Sequence, residues 1–175
     1  LTTTELNKAL RGFLAAFCPG VEERDIIKGF PNAASLPKKR TYIVFSVAKS
    51  VPKSVGTDFF TTEPDSTSPG VWTTAELNFV TYRVDIYGPR SDAHLDCLKA
   101  AFRSGLAGEF FGRYRDSLGG IGLVGVADAA NATRPDGTSE YALAQSLELT
   151  VAVRFTASMA QDWTDRLTIS LHPKE

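Results

Sequence analysis

Histidine and cysteine are scarce in this chain, with two of each in 175 residues. His94 and His172 stand in no metal-ligand spacing with Cys18 or Cys97, so a zinc-type site is not expected. No Gly-x-Ser-x-Gly elbow and no phosphate-cradling loop occurs. Gly119-Gly120-Ile121-Gly122 is dense in glycine, but it follows a helical stretch and reads as a helix stop with a tight turn. No apolar run reaches the roughly 20 residues that span a bilayer. The apolar stretch near the start is interrupted by Asn7, Lys8 and Arg11, so no signal peptide is expected. A surplus of one charge sign is also missing. Nineteen Lys and Arg against 20 Asp and Glu leave a formal net charge of −1, whereas coating bulk nucleic acid normally needs a basic surplus. These absences leave no catalytic residue, metal, cofactor or membrane partner to expect.

What is present is ordinary in amount and unusual in pattern. Hydrophobic residues make up 43% and charged residues 22%, as in a typical globular domain. A chain this long buries about 70% of its unfolded surface, so residues 1–175 read as one domain needing no disulfide or metal. Cys18 and Cys97 sit in helical stretches among apolar neighbours and read as free, buried small hydrophobes. That low count suits a reducing cytoplasm.

The strongest pattern is the run from Ala142 to Thr156. Every odd position from Leu143 to Phe155 except Gln145 is apolar, and the even positions are small or polar. Period-two alternation predicts a strand with one buried face and the other turned to water or to a partner. Strands average about 5–6 residues, so one this long exceeds what a monomer's core requires. Ala75 to Tyr87 alternates in the same way, with Val80, Tyr82, Val84 and Ile86 on one face. Thr41 to Val51 is rich in β-branched and aromatic residues and predicts another strand, stopped by Pro52. Shorter strands are expected around Ile26 and Ile27, over Ile121 to Val126, and over Leu167, Ile169 and Leu171.

Three helical stretches complete the pattern. Thr2 and Glu5 form a capping box, and Leu6, Leu10, Phe13, Leu14 and Phe17 follow at helical spacing until Cys18-Pro19-Gly20 ends the helix. Ser91 reads as the N-cap of a helix carrying Leu95, Leu98 and Phe102. Gly105 and Gly108 break or bend it before a second stretch with Leu106, Phe110, Phe111 and Tyr114. Strands on either side of central helices predict an α+β domain. Its twisted sheet is mostly antiparallel and covered on one face by the N-terminal helix and the central helix pair.

The stretch from about 53 to 71 is polar and punctuated by Pro64 and Pro69, so it reads as a projecting loop. Phe59, Phe60 and Trp72 flank it. They fit either a hairpin base tucked into the core or a subunit interface, where aromatics concentrate. Asp58, Glu63 and Asp65 lack the glycine and spacing of a calcium loop and read as solvated. Lys38, Lys39 and Arg40 read as a solvated loop before a strand, or as contacts to DNA phosphates. Phe59, Phe60, Trp72, Lys38, Lys39 and Arg40 are therefore the candidate interface residues.

The ordered string resembles a known family. Tyr82-Arg83-Val84-Asp85-Ile86-Tyr87-Gly88-Pro89 running into a helix at Ser91 to Arg103 is similar to a junction in the neck and tail-terminator proteins of tailed bacteriophages. So are the strand ending Gly125 to Asp128, the Tyr141 to Phe155 strand, the closing segment Asp165 to Leu171, the Thr-Thr-Glu-Leu opening and Tyr42-Ile43-Val44. The resemblance covers nearly the whole chain and departs most between Lys53 and Val71. It implies a non-enzymatic structural protein of the virion neck, assembled in the bacterial host cytoplasm. Such a protein forms a ring, typically a homohexamer, that caps the tail tube, ends its polymerisation and joins the head-side connector protein. Double-stranded DNA passes through, which the near-neutral charge permits. Two alternatives stand beside it. One is another neck component, such as a collar, gateway or head-closure protein. The other is a nucleic-acid or peptide binding module whose sheet face uses Tyr82, Tyr87 and the basic triplet.

Overall fold

The computed structural model describes residues 2–29, 40–54, 56–61, 70–114, 120–130, 133–135 and 141–161. Lys38, Lys39, His172, the polar stretch 62–69, the glycine pair's first member Gly119 and the expected strand Leu167 to Leu171 lie outside the described residues.

The chain opens with α1 (Thr3–Phe17), whose capping box is formed on both sides: Thr2 accepts from the Glu5 amide and Glu5 accepts from the Thr2 amide. A single 3-10 turn leads into β1 (Ile26–Lys28), which pairs parallel with β2 (Tyr42–Pro52). Next come β3 (Thr57–Thr61) and the 18-residue β4 (Gly70–Tyr87). Two helices follow, α2 (Ser91–Arg103) and α3 (Gly105–Gly112). After them come β5 (Ile121–Asp128), β6 (Thr133–Pro135), β7 (Tyr141–Leu143) and the 17-residue β8 (Gln145–Gln161). The main sheet runs β1-β2-β4-β8-β5 with β3 also on β4, and β6 pairs β7 separately. The fold is α+β and the sheet mostly antiparallel.

β4 and β8 are the spine. They pair antiparallel from Gly70 against Gln161 to Ile86 against Gln145 without a register shift. In phase, Val80, Tyr82, Val84 and Ile86 of β4 share a face with Leu147, Leu149, Val151 and Val153 of β8. All eight are buried in one core with Leu6, Leu10, Phe13 and Leu14 of α1, Leu98 and Phe102 of α2, and Phe111 of α3. Phe13 is the hub of the helix layer: its ring stacks on Phe111 at 5.0 Å and meets the edges of Phe110 and Phe102 at 5.7 and 6.1 Å. Tyr82 crosses from sheet to helix and donates to Asn7 Oδ1 at 3.0 Å.

The second face is not open along its whole length. At the end near Tyr87, the Tyr42 and Tyr87 rings stack at 4.8 Å, and with Val44 and Ala144 they form a second, smaller buried cluster. Beside it, Asp85 is buried, and its Oδ1 accepts from Arg83 Nε at 2.9 Å and from Ser146 Oγ at 2.6 Å. Arg83 also donates to the Ala130 carbonyl at 2.8 Å, tying the segment after β5 over this face.

Several expectations need correction. Ser91 is the first helical residue rather than the N-cap: that place is held by Arg90 in the left-handed region at φ 62°, with no side-chain cap. The turn before it depends on Gly88 (φ 96°), where a Cβ would come within 3.0 Å of the Arg40 carbonyl oxygen and Thr41 Cα. α2 and α3 are separated by Ser104, which ends one and caps the other by accepting from the Leu106 amide. Cys18 is buried but Cys97 is exposed, and both are free. The long terminal run divides at Ala144 into β7 and β8.

Pro52 interrupts β2 without ending the sheet edge. β2 pairs with β4 from Tyr87 back to Asn78, and β3 resumes on β4 from Ala75 to Val71. Leu77 bridges the gap, its carbonyl accepting from the Lys53 amide and its amide donating to Ser54 Oγ. Residues 57–61 of the expected loop are therefore a strand.

Two consequences are measurable. Arg83→Ala leaves a buried carboxylate without its cation and should cost about 3 kcal/mol in urea unfolding. Replacing Arg83 and Asp85 together by leucine should cost less, since no charge remains to be buried. Burial raises Tyr82 from 10.0 to about 12 and Cys18 from 9.0 to about 12. The folded state thus holds these protons more tightly than the unfolded chain. Their contribution to stability is fully present below pH 9 and should be lost as pH rises from 9 to 12, a loss that thermal melts across that range would record.

Candidate assembly interface

A strand of 18 residues is about 60 Å long at roughly 3.3 Å per residue, longer than the helix layer that covers it. In the main core the residues of β4 begin at Val80 and those of β8 end with the partly buried Phe155, while Ala75, further out on β4, is buried on the opposite face. Beyond the main core the sheet continues as three strands: β3, Gly70 to Leu77 of β4, and Arg154 to Gln161 of β8. This extension is the arm.

Register decides what the arm presents. Phe60 lies opposite Trp72, and Trp72 lies opposite Met159. Pleating places all three side chains on one face in a cross-strand row. The Phe60 and Trp72 rings are 6.2 Å apart and tilted. The far end of the Phe60 ring also lies over the Gly70 backbone, in the place a Cβ at that position would take. Trp72 is 40%, Phe60 41% and Met159 61% exposed. Asp58, two residues from Phe60 on the same strand, adds a carboxylate to this face. The opposite face carries Phe59, also exposed, and the Thr73 to Ser158 hydroxyl hydrogen bond at 2.9 Å.

Among the alternatives read from the sequence, Phe59, Phe60 and Trp72 are therefore exposed rather than core. Met159 was not foreseen, although the alternation Phe155, Ala157, Met159 continues the strand's apolar face. Arg40 stands apart from the arm: its guanidinium holds the buried Asp25 carboxylate at 2.7 Å, pinning the start of β2 to the turn before β1. Tyr82 and Tyr87 are both buried, one in the main core and one against Tyr42, so neither can stack on a nucleotide. The sheet-face binding module loses its aromatic contacts.

The chemistry of the remaining polar groups is structural. His94 is buried, and desolvation, helped by the nearby Arg90 charge, lowers its pKa. Lys99 pairs with Asp128. No group of three or more His, Cys, Asp or Glu among the described residues could hold a metal ion. No described helix is long and apolar enough to cross a membrane.

A sheet that outruns its own core and keeps aromatic surface on the excess is the build of an assembly protein. The sequence matches the family model for phage neck terminator proteins over residues 4–174, and the chain belongs to that family. It is a structural protein of the phage neck, and its place is in the virion. No curated protein matches the chain at a significant level.

Because the row is solvent-exposed in the monomer, Phe60→Ser with Trp72→Ser should leave the fold intact. The loss should be about 1 kcal/mol, the scale of one aromatic pair, against several for a core aromatic. Urea titration of the double variant beside Phe13→Ala checks the contrast.

Proposed function

We propose that the chain forms a closed homo-oligomeric ring, six-fold, that caps the last ring of the tail tube protein, ends its polymerisation and presents a second surface to the head-side connector. The ring is non-enzymatic and lets double-stranded DNA through. The observation that carries this reading is the arm with its row Phe60, Trp72 and Met159. A monomer gains nothing from exposing three large apolar side chains side by side, and clusters of this kind mark interaction surfaces. Family membership supplies the setting. A closed ring needs a heterologous contact, in which two different patches of the same chain meet. The arm is one such patch, distinct in character from the helix-covered body.

A terminator's two ends must differ, because the tube end and the connector are different surfaces. β4 and β8 run continuously from arm to body, so one rigid element joins both ends and fixes their spacing. A genome must pass without being held, since phosphate contacts drive sequence-independent affinity. A net charge of −1 suits that passage. Arg40 is already committed to Asp25, and we place Lys38 and Lys39 on a solvent or protein-facing surface rather than around the pore.

Electron microscopy of assembled particles tests the ring. Six copies at the tail-tube end are expected, and a single copy, or absence from the neck, overturns the proposal. Filter binding at low salt tests the DNA route. Weak retention is expected, unchanged when Lys38 and Lys39 are replaced by alanine with Arg40 kept, because Arg40 holds the buried Asp25. Strong retention lost in that double variant would place the basic run on the DNA path.

A further inference from the structure

The second patch that a heterologous contact requires is present where the arm joins the body. Between α3, the start of β5 and the Leu77–Arg154 pair of the spine lies an open cavity of about 480 Å³. That is within the roughly 300–1,000 Å³ of pockets that bury a drug-sized group. Its lining includes Gly108, Phe111, Gly112, Ile121, Gly122 and Arg154. Gly108 and Gly112 lie one turn apart on α3, and a Cβ at either would meet nothing within 4 Å. The missing side chains leave room that none of the described residues fills. Helix interiors disfavour glycine by about 1 kcal/mol relative to alanine, so two in an eight-residue helix weaken α3 while keeping the space open. Leu106 on α3 and Val124, at the bulge of β5, are exposed apolar side chains on the same body.

We infer that this cavity receives the arm of the next copy in the ring, with Trp72 and Phe60 as the inserted side chains and Met159 covering the rim. The inference rests on the ring reading and names the contact that would build it. Charge agrees: the arm brings the exposed Asp58 beside Phe60, and Arg154 is among the residues lining the cavity. Aromatic anchors seated in a pocket and rimmed by charge dominate the energy of many interfaces. The contact is heterologous: arm to cavity, with each copy offering one of each. Repeated in one direction, it builds a ring.

Two measurements on the full chain, alone at high concentration and with tail tubes added, test the inference. In the first, Gly108→Trp or Gly112→Trp fills the cavity. The melting temperature of the monomer should stay unchanged and assembly should weaken more than about tenfold, while Gly108→Ala should still assemble. In the second, Ala157→Cys on the arm face is combined with Gly108→Cys in a Cys97→Ser background. Mild oxidation should give a ladder of cross-linked species beyond the dimer, and only when both new cysteines are present. Cys18 is buried with its thiol pushed up to about 12, so it stays out of the reaction. Rings that form without the ladder, or that tolerate the tryptophan variants, overturn the arm-to-cavity contact and leave the ring reading standing. A ladder that stops at the dimer overturns it in favour of a two-fold pair. If the wild-type chain gives no species above the monomer, even with tubes present, the ring reading falls and this inference with it. Should a tryptophan variant unfold, the cross-linking result decides alone.

Discussion

Everything in this molecule depends on the in-phase pairing of β4 with β8. The two strands match residue for residue from Gly70 and Gln161 to Ile86 and Gln145. Because a pleated strand alternates strictly, one uninterrupted register keeps the same side chains on the same face along the whole length. A slip of β8 by one residue would turn Leu147, Leu149, Val151 and Val153 away from α1 while Tyr82 and Val84 kept their place. It would also scatter Phe60, Trp72 and Met159 to opposite faces of the arm. Core and candidate interface thus share one constraint.

Around that spine the chain divides its labour by where the helices end. Where α1, α2 and α3 cover the sheet, the apolar face is a core centred on Phe13 and Tyr82. Where they stop, the same alternation continues into Trp72 and Met159, which are exposed and lie outside the described core clusters. Bulges adjust the flanking strands to the twist of the spine. One lies between Val47 and Lys49 of β2 and one between Leu123 and Gly125 of β5, and each leaves a valine exposed. A local excess of one residue re-aims a strand without breaking its pairing.

Some elements were legible because their signal is local. The capping box at Thr2 and Glu5, the stop at Cys18-Pro19-Gly20 and the alternation of β8 all act over a few residues, and each stands where the pattern placed it. Others were illegible for an equally physical reason. β5 alternates poorly because its bulge shifts the apolar phase from Ile121 and Leu123 to Val126. β3 hid in a polar, proline-bounded stretch, since its pairing to β4 is a long-range contact that no local pattern encodes. Cys97 read as buried from its neighbours, yet it faces outward on α2. The second buried cluster was unreadable because Tyr42, Val44, Tyr87 and Ala144 come from separate segments and meet only when the register is set.

The sequence by itself determined the fold class, the long two-faced strands and the identity of the aromatics flanking the 53–71 stretch, because periodicity and composition are properties of the chain; the family followed from the likeness of its ordered motifs and the match over residues 4–174. Only the tertiary structure decided which of those aromatics are exposed, that Met159 joins them, and that Tyr82 and Tyr87 are buried. Only it opened a glycine-lined cavity beside α3. These outcomes depend on which strand lies next to which and on where the helices stop covering the sheet. Burial is a relation between distant segments, and it comes into being only when the spine has paired.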